Sequence, residues 1–279
     1  MNDEIPTTKI RLIALDLDGT LLRSDRTVGA RSIAALRAAH ALGVEIVLAS
    51  GRMTAAMERT AEALEFDPII VSYNGAAVRA KKSNGRELLL HRPLSAAIAR
   101  ELYLFAREER LQVNYYLDDV IVVEDAPHLR PWVEMYRERT GSPFRCVESL
   151  EPFLHRDPTK LLLVMEPGKR EKIALHWGAR LQERAIVLRT DPEYLEFLDP
   201  AATKGLALEF VAQHLNIERA AIMALGDGEN DVPMLRYAGW PVAVANAGSA
   251  ARAAARAVTL NDHEHDAVAE AVERWVLNR

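Results

Sequence analysis

LIALDLDGTLL, residues 12–22, is an apolar strand that runs into two aspartates, a glycine and a threonine. Two residues apart on a strand, Asp16 and Asp18 point to one side, with only about 7 Å of chain between them. Two carboxylates held together beside an apolar strand repel each other, and the repulsion is poorly screened. Such an ending calls for something positive nearby.

The surrounding sequence tells what kind of sheet this strand enters. A helix is expected over about 29–42, with Ile33 and Leu36 at helical spacing and Gly43 as its stop. EIVLAS (45–50) is a second strand, and a helix after it carries Met53, Met57, Thr60, Ala61 and Leu64 on one face. PIIVSY (68–73) is a third strand, ending in the turn pair Asn74-Gly75. The rhythm returns beyond residue 200: a helix over 204–216, the strands AAIMALGD, WPVAVAN and AVTL, and a helix that closes the chain. Continuous apolar strands joined by helices mark a parallel sheet covered on both faces. The expected fold class is therefore α/β, a doubly wound parallel sheet built from both ends of the sequence.

The middle, about 84–192, has another grain. A helix with Ile98, Leu102 and Phe105 precedes VNYYL and VIVVE, which Asp118-Asp119 split as a hairpin turn would. A helix around 128–139, a strand near 144–148, KLLLVME, a helix with Ile173, Trp177 and Leu181, and the pair AIVLR/YLEFL follow. This mixture predicts an α+β insertion with an antiparallel sheet. The loops at 81–86 and 190–193 set the expected domains: a core of 1–83 and 193–279, and an insert of 84–192. The Ala-rich stretch 249–257 reads as a plain helix with Arg252 and Arg256 in solvent.

Bulk properties narrow the function. The 279 residues carry 35 basic and 40 acidic side chains, a net charge of −5, and 49% apolar residues. With no basic stripe, neither nucleic acid nor an anionic membrane surface is an expected partner. The opening MNDEIPTTKI does not read as a signal peptide, and no apolar run approaches a membrane span. Cys146 is the single cysteine, so no internal disulfide can form. A reducing, cytoplasmic location is the expectation.

Four islands carry the chemistry: Asp16-Leu17-Asp18-Gly19-Thr20, Ser50-Gly51-Arg52, Lys204-Gly205 and Gly226-Asp227-Gly228-Glu229-Asn230-Asp231. Each falls at the carboxyl end of an expected strand or the start of a helix, where open α/β sheets place ligands. The first and last supply carboxylates, which suit a hard cation such as Mg²⁺. The middle two supply a hydroxyl, backbone N–H groups at a helix start and a lysine, which suit a phosphoryl group. Taken singly, each has a plainer meaning: a turn, an N-cap, a solvated lysine, a loop. Four in this order, all on strand ends, favour a site.

These islands resemble the four motifs of the haloacid dehalogenase (HAD) superfamily, and the layout is similar to its Cof-type (subfamily IIB) phosphatases. The likeness extends through LDLDGTLL, LASGR, SYNGA, TKG, GDGENDVPML and the tail ANAG…A…VTLNDHEHDAVAEAV. It covers both core segments, and the insert matches a C2-type cap in size and position. The resemblance implies that Asp16 is the nucleophile of an aspartyl-phosphate intermediate. It implies that Asp18 is the general acid and then the base. Asp16, Asp227 and the backbone carbonyl of Asp18 would hold Mg²⁺. Leu17 (through its backbone), Ser50, Gly51, Lys204 and Asn230 would surround the phosphoryl oxygens. Asp231 would orient Lys204 or a metal-bound water.

Such roles require Asp16 to stay ionised while Asp18 is protonated for part of the cycle, so the two need different surroundings. The chain departs from the family pattern in Asp199-Pro200-Ala201-Ala202-Thr203, where a proline-glycine step often precedes the lysine, and in Asp266, where glycine is frequent. Arg52 and Asn74 either fix local structure or line an entrance. Asp262-His263-Glu264-His265-Asp266 is read as a solvated helix start, because residues two apart on a helix do not face each other. The expected activity is Mg²⁺-dependent hydrolysis of a small phosphorylated metabolite, a sugar or cofactor phosphate. A sugar phosphomutase-type transferase and a non-catalytic phosphate-binding protein are the alternatives.

Overall fold

The structure is a computed structural model that describes residues 5–278. The first four residues of MNDEIPTTKI, the stretch considered for a signal peptide, lie outside the described residues. The chain divides into two compact units whose junctions fall at 90/91 and 202/203.

The first unit begins with β1 (Leu12–Asp16), α1 (Ala30–Ala41), β2 (Glu45–Ala49), α2 (Thr54–Ala63), β3 (Ile69–Ser72), β4 (Ala77–Arg79) and β5 (Leu88–His91). The second contains α3 (Ala96–Glu108), β6 (Gln112–Leu117), β7 (Val120–Glu124), α4 (Arg130–Thr140), β8 (Phe144–Val147), β9 (Lys160–Val164), α5 (Pro167–Leu181), β10 (Ile186–Arg189) and β11 (Tyr194–Leu198). The chain then completes the first unit with α6 (Lys204–His214), β12 (Ile222–Gly226), α7 (Val232–Tyr237), β13 (Trp240–Ala243), α8 (Ser249–Ala254), β14 (Ala257–Val258) and α9 (Ala267–Val272).

The first sheet has eight strands in the order β14-β13-β12-β1-β2-β3-β4-β5. Parallel pairing runs from β14 through β3, and β4 turns back antiparallel on β3. The continuous apolar run of β1 has a direct cause. Ile13 and Leu15 face one hydrophobic cluster, with Leu36 of α1, Met57 of α2 and Val272 of α9. Leu12 and Ala14 face the opposite cluster, with Leu208 of α6, Leu235 of α7 and Ala251 of α8. Both faces are buried, so the four residues before Asp16 are all apolar.

The second unit is a six-stranded sheet, β10-β11-β9-β6-β7-β8, antiparallel except where β8 runs parallel to β7. One face packs on α3 and α5, with Leu102, Trp177 and Leu181 in its core. The opposite side chains of its central strands include Asn114, Tyr116, Lys160 and Glu196, all buried. Lys160 Nζ lies 3.1 Å from a Glu196 oxygen and 4.7 Å from the Tyr116 ring centre. Asp118 and Asp119, both at positive φ, form the two-residue β6–β7 hairpin turn.

Several expectations shift. The unit junctions lie beyond the sequence-based edges at 83/84 and 192/193, for a hydrogen-bonding reason. β4 and β5 extend the first sheet, while residues 190–193 connect β10 to β11, which pairs with β9 and stays in the second sheet. The Ala-rich helix stops at Ala254, and residues 257–258 form β14. Its arginines are not simply solvated: Arg252 Nε donates to the Ala247 carbonyl at 2.8 Å, and the Arg256 guanidinium stacks 4.8 Å from the Trp240 ring centre.

Because β1 is central and Leu15 is fully buried, Leu15→Ala is expected to destabilise the protein by about 2–5 kcal/mol. Urea unfolding followed by circular dichroism measures this. A loss below about 1 kcal/mol would contradict the central position of β1 in the core.

Candidate active site

Asp16 ends β1, and its neighbours β2 and β12 end at Ala49 and Gly226, immediately before Ser50 and Asp227. The three residues therefore emerge together at the carboxyl edge of a parallel sheet. Lys204 opens α6, whose N-cap Thr203 accepts the Leu206 N–H through its hydroxyl at 3.2 Å. The first turn of α6 lies so close to α7 that a Cβ on Gly205 would sit 2.5 Å from the Pro233 carbonyl oxygen. Glycine is the residue that permits this approach.

Lys204 is the hub. Its side chain is buried, and Nζ donates to Asp16 Oδ1 at 2.5 Å and to Asp231 Oδ1 at 2.6 Å. Asp231 is anchored in turn, because its Oδ2 accepts the N–H groups of Asp227 (3.0 Å) and Gly228 (2.9 Å). Burial works against the Lys204 ammonium, but Asp16 and Asp231 outweigh it and hold the lysine above its ordinary pKa. Burial, then the charges of Asp231 and Asp227, push Asp16 well above the usual carboxylate range against the pull of Lys204. Burial and Asp231 also raise Asp227, whose Oδ1 accepts the Thr20 hydroxyl at 3.0 Å.

Asp18 stands elsewhere. β1 stops at Asp16, and the Leu17 carbonyl accepts the N–H groups of Thr20, Leu21 and Leu22, so the chain turns before Asp18. This corrects the expectation that the two carboxylates share one side of a strand. Asp16 is buried against Lys204, whereas Asp18 is largely exposed and paired with Arg52. Arg52 Nε donates to Asp18 Oδ2 at 2.8 Å, and its Nη2 donates to Oδ1, a bidentate fork.

The remaining residues expected at a phosphate pocket lie in the same unit. Ser50 is buried, its N–H bonded to Val71 and its hydroxyl accepting the Arg52 N–H at 3.2 Å. Gly51 borders Asn74, which accepts from Asn230 Nδ2 at 3.0 Å. The Leu17 carbonyl is taken by the three N–H groups of Thr20, Leu21 and Leu22.

The donor set fits a hard cation. One carboxylate oxygen from each of Asp16, Asp227 and Asp231 lies within 4.8 Å of the others. Three carboxylates face a single ammonium, with oxygen donors only, so the cluster is short of positive charge. Asp231 already serves Lys204 and two backbone N–H groups, which makes Asp16 and Asp227 the better ligands.

Sequence reasoning left Asp231 and Arg52 without a settled place, and it passed over the Thr20 hydroxyl. Asp231 could have been found from its spacing: four residues after Asp227, across one short 3₁₀ turn, it meets its own motif's N–H groups. The 262–266 stretch forms a 3₁₀ turn rather than an open helix start. Asp266 has φ +60°, a conformation that glycine adopts readily and aspartate tolerates. Its carboxylate accepts from Arg23 (2.9 Å) and Ser32 (3.0 Å). Cys146 is exposed on β8. No helix among the described residues is long and apolar enough to cross a membrane.

The profile of the haloacid dehalogenase-like hydrolases matches residues 13–272. YxeH of Bacillus subtilis (strain 168), provisionally named a phosphatase, is 30% identical over 271 residues, covering 96% of this chain and 98% of its own. An HMP-PP phosphatase of Cronobacter sakazakii is 28% identical over 239 residues, 85% of each chain. A haloacid dehalogenase-like hydrolase from Bacteroides thetaiotaomicron superposes with a TM-score of 0.85 at 32% identity, over 95% of this chain and 99% of that one. Motifs, fold and relatives agree: the chain belongs to the haloacid dehalogenase superfamily and is a hydrolase of its Cof-type phosphatase branch.

Proposed function

We propose that the protein is a Mg²⁺-dependent phosphatase that hydrolyses a small phosphorylated metabolite, a sugar or cofactor phosphate, through an aspartyl-phosphate at Asp16. The observation that carries this reading is the buried Lys204 ammonium bonded to both Asp16 and Asp231 at the carboxyl edge of the sheet. An ammonium has three N–H groups, so one remains for a phosphoryl oxygen beside the attacking carboxylate. The HMP-PP phosphatases among the relatives support the substrate class.

Asp16 and Asp227, with the backbone carbonyl of Asp18, would hold Mg²⁺. Bound there, the cation would offset the clustered negative charge and draw electron density from the phosphoryl oxygens. In the first step an Asp16 oxygen attacks phosphorus, the bond from phosphorus to the ester oxygen breaks, and Asp18 gives that oxygen its proton. In the second step water attacks phosphorus, Asp18 takes the proton, and the bond to Asp16 breaks to release phosphate. The Leu17 and Gly51 N–H groups, the Ser50 hydroxyl, Lys204 and Asn230 neutralise the oxygens on which charge builds during transfer. The fork between Arg52 and Asp18 opens for each proton transfer. Asp231 acts through Lys204. The first unit is the catalytic core in this reading, and the unit His91–Ala202 is a substrate-selecting cap.

Asp16→Asn is expected to lower turnover of 4-nitrophenyl phosphate at least about 10³-fold, because the amide cannot form the acyl phosphate. Phosphate release measures this, with circular dichroism to establish that the variant is folded. A variant within tenfold of the parent would contradict the assignment. Treatment with EDTA is expected to abolish turnover and excess Mg²⁺ to restore it. Undiminished turnover in EDTA would remove the cation from the mechanism.

A further inference from the structure

The tail motif around Val244-Ala245-Asn246-Ala247-Gly248 supplies none of the groups used above, yet it reaches the loop that carries Asp18. Asn246 Nδ2 donates to the Gly19 carbonyl at 2.7 Å, and its Oδ1 accepts the His263 N–H at 3.1 Å. A carbonyl only accepts and a backbone N–H only donates, so the two partners fix which way the amide faces. From this geometry we infer that Asn246 is a positioning residue for Asp18, an inference that rests on the phosphatase reading and deepens it.

Gly19 has φ +80°, and a Cβ there would lie 2.6 Å from Asp227 Oδ2. Glycine is thus required immediately after Asp18, and its backbone is free to turn as no other residue's would be. The bonds from Thr20, Leu21 and Leu22 to the Leu17 carbonyl hold the turn from one side. Asn246 holds it from the other, at the peptide between Gly19 and Thr20.

The anchor of Asn246 is itself tied to the same loop. His263 belongs to the 262–266 turn, which Asp262 braces by accepting the His265 N–H at 3.1 Å. From that turn Glu264 accepts the Ser24 N–H at 2.8 Å, while Asp266 accepts from Arg23 and Ser32. One turn therefore grips the Asp18 loop downstream and, through Asn246, at Gly19. Held in this way, the tail motif sets where Asp18 meets the leaving oxygen.

Leaving-group dependence of kcat/KM separates positioning from general loosening. The more basic the leaving oxygen, the more its departure depends on a well-placed proton donor. Asn246→Asp keeps the acceptor for His263 but sets a charged oxygen against the Gly19 carbonyl in place of the donor, while Asn246→Ala removes both bonds and adds no charge. Asn246 is exposed, so both variants are expected to fold, as melting curves will show. Across substituted phenyl phosphates with Mg²⁺, both variants are expected to lose about twofold on 4-nitrophenyl phosphate and about tenfold on phenyl phosphate. A loss equal across the series, or no loss, would overturn the positioning role while leaving the phosphatase reading intact. No hydrolysis of any member by the parent protein would overturn the phosphatase reading, and this inference with it.

Discussion

A buried ammonium held between two buried carboxylates is the constraint on which the site depends. Removing ions from water costs several kcal/mol each in proteins, roughly, and a buried pair is tolerated only when its remaining bonding groups are satisfied. Lys204 gives two of its three N–H groups to Asp16 and Asp231, and Asp231 is held in turn by the N–H groups of Asp227 and Gly228. Three chain segments must converge to build the arrangement: the end of β1, the start of α6 and the turn after β12. The parallel pairing of β1 with β12 brings two of them together. The absence of a side chain at Gly205 brings in the third.

This hub also accounts for the different surroundings of Asp16 and Asp18. Asp16 is held against a lysine in the interior, which suits the proposed role of a nucleophile that must face phosphorus. Asp18, beyond the end of the strand, meets an arginine at the surface and has room to exchange partners. Two aspartates separated by a single leucine thus have different surroundings because the strand ends between them.

Much of this was legible in the residues. LIALD reads as a strand buried on both faces, and its alternate side chains do enter opposite clusters. The Asp118-Asp119 turn and the Trp177–Leu181 core stripe were legible too, because each depends on local spacing. What escaped depended on partners distant in sequence. β4 and β5, three and four residues long, have little periodicity of their own and exist because β3 offers an edge to β4 and β4 in turn to β5. β11 belongs to the second sheet through pairing with β9, thirty residues earlier and invisible to a local pattern. The stacking of Arg256 on Trp240 and the attachment of Asp266 to Arg23 are likewise tertiary. Asp231 was seen, but its bond to Lys204 became definite only with the turn between Glu229 and Asp231 in place.

The central claim is that Asp16 attacks phosphorus and carries the phosphoryl group. Acid quench of the protein during turnover of 4-nitrophenyl phosphate, followed by borohydride reduction and peptide mass spectrometry, tests it most directly. An acyl phosphate at Asp16 would be reduced to homoserine at position 16 and at no other aspartate. Reduction at a different residue, or none while phosphate is being released, would contradict the account.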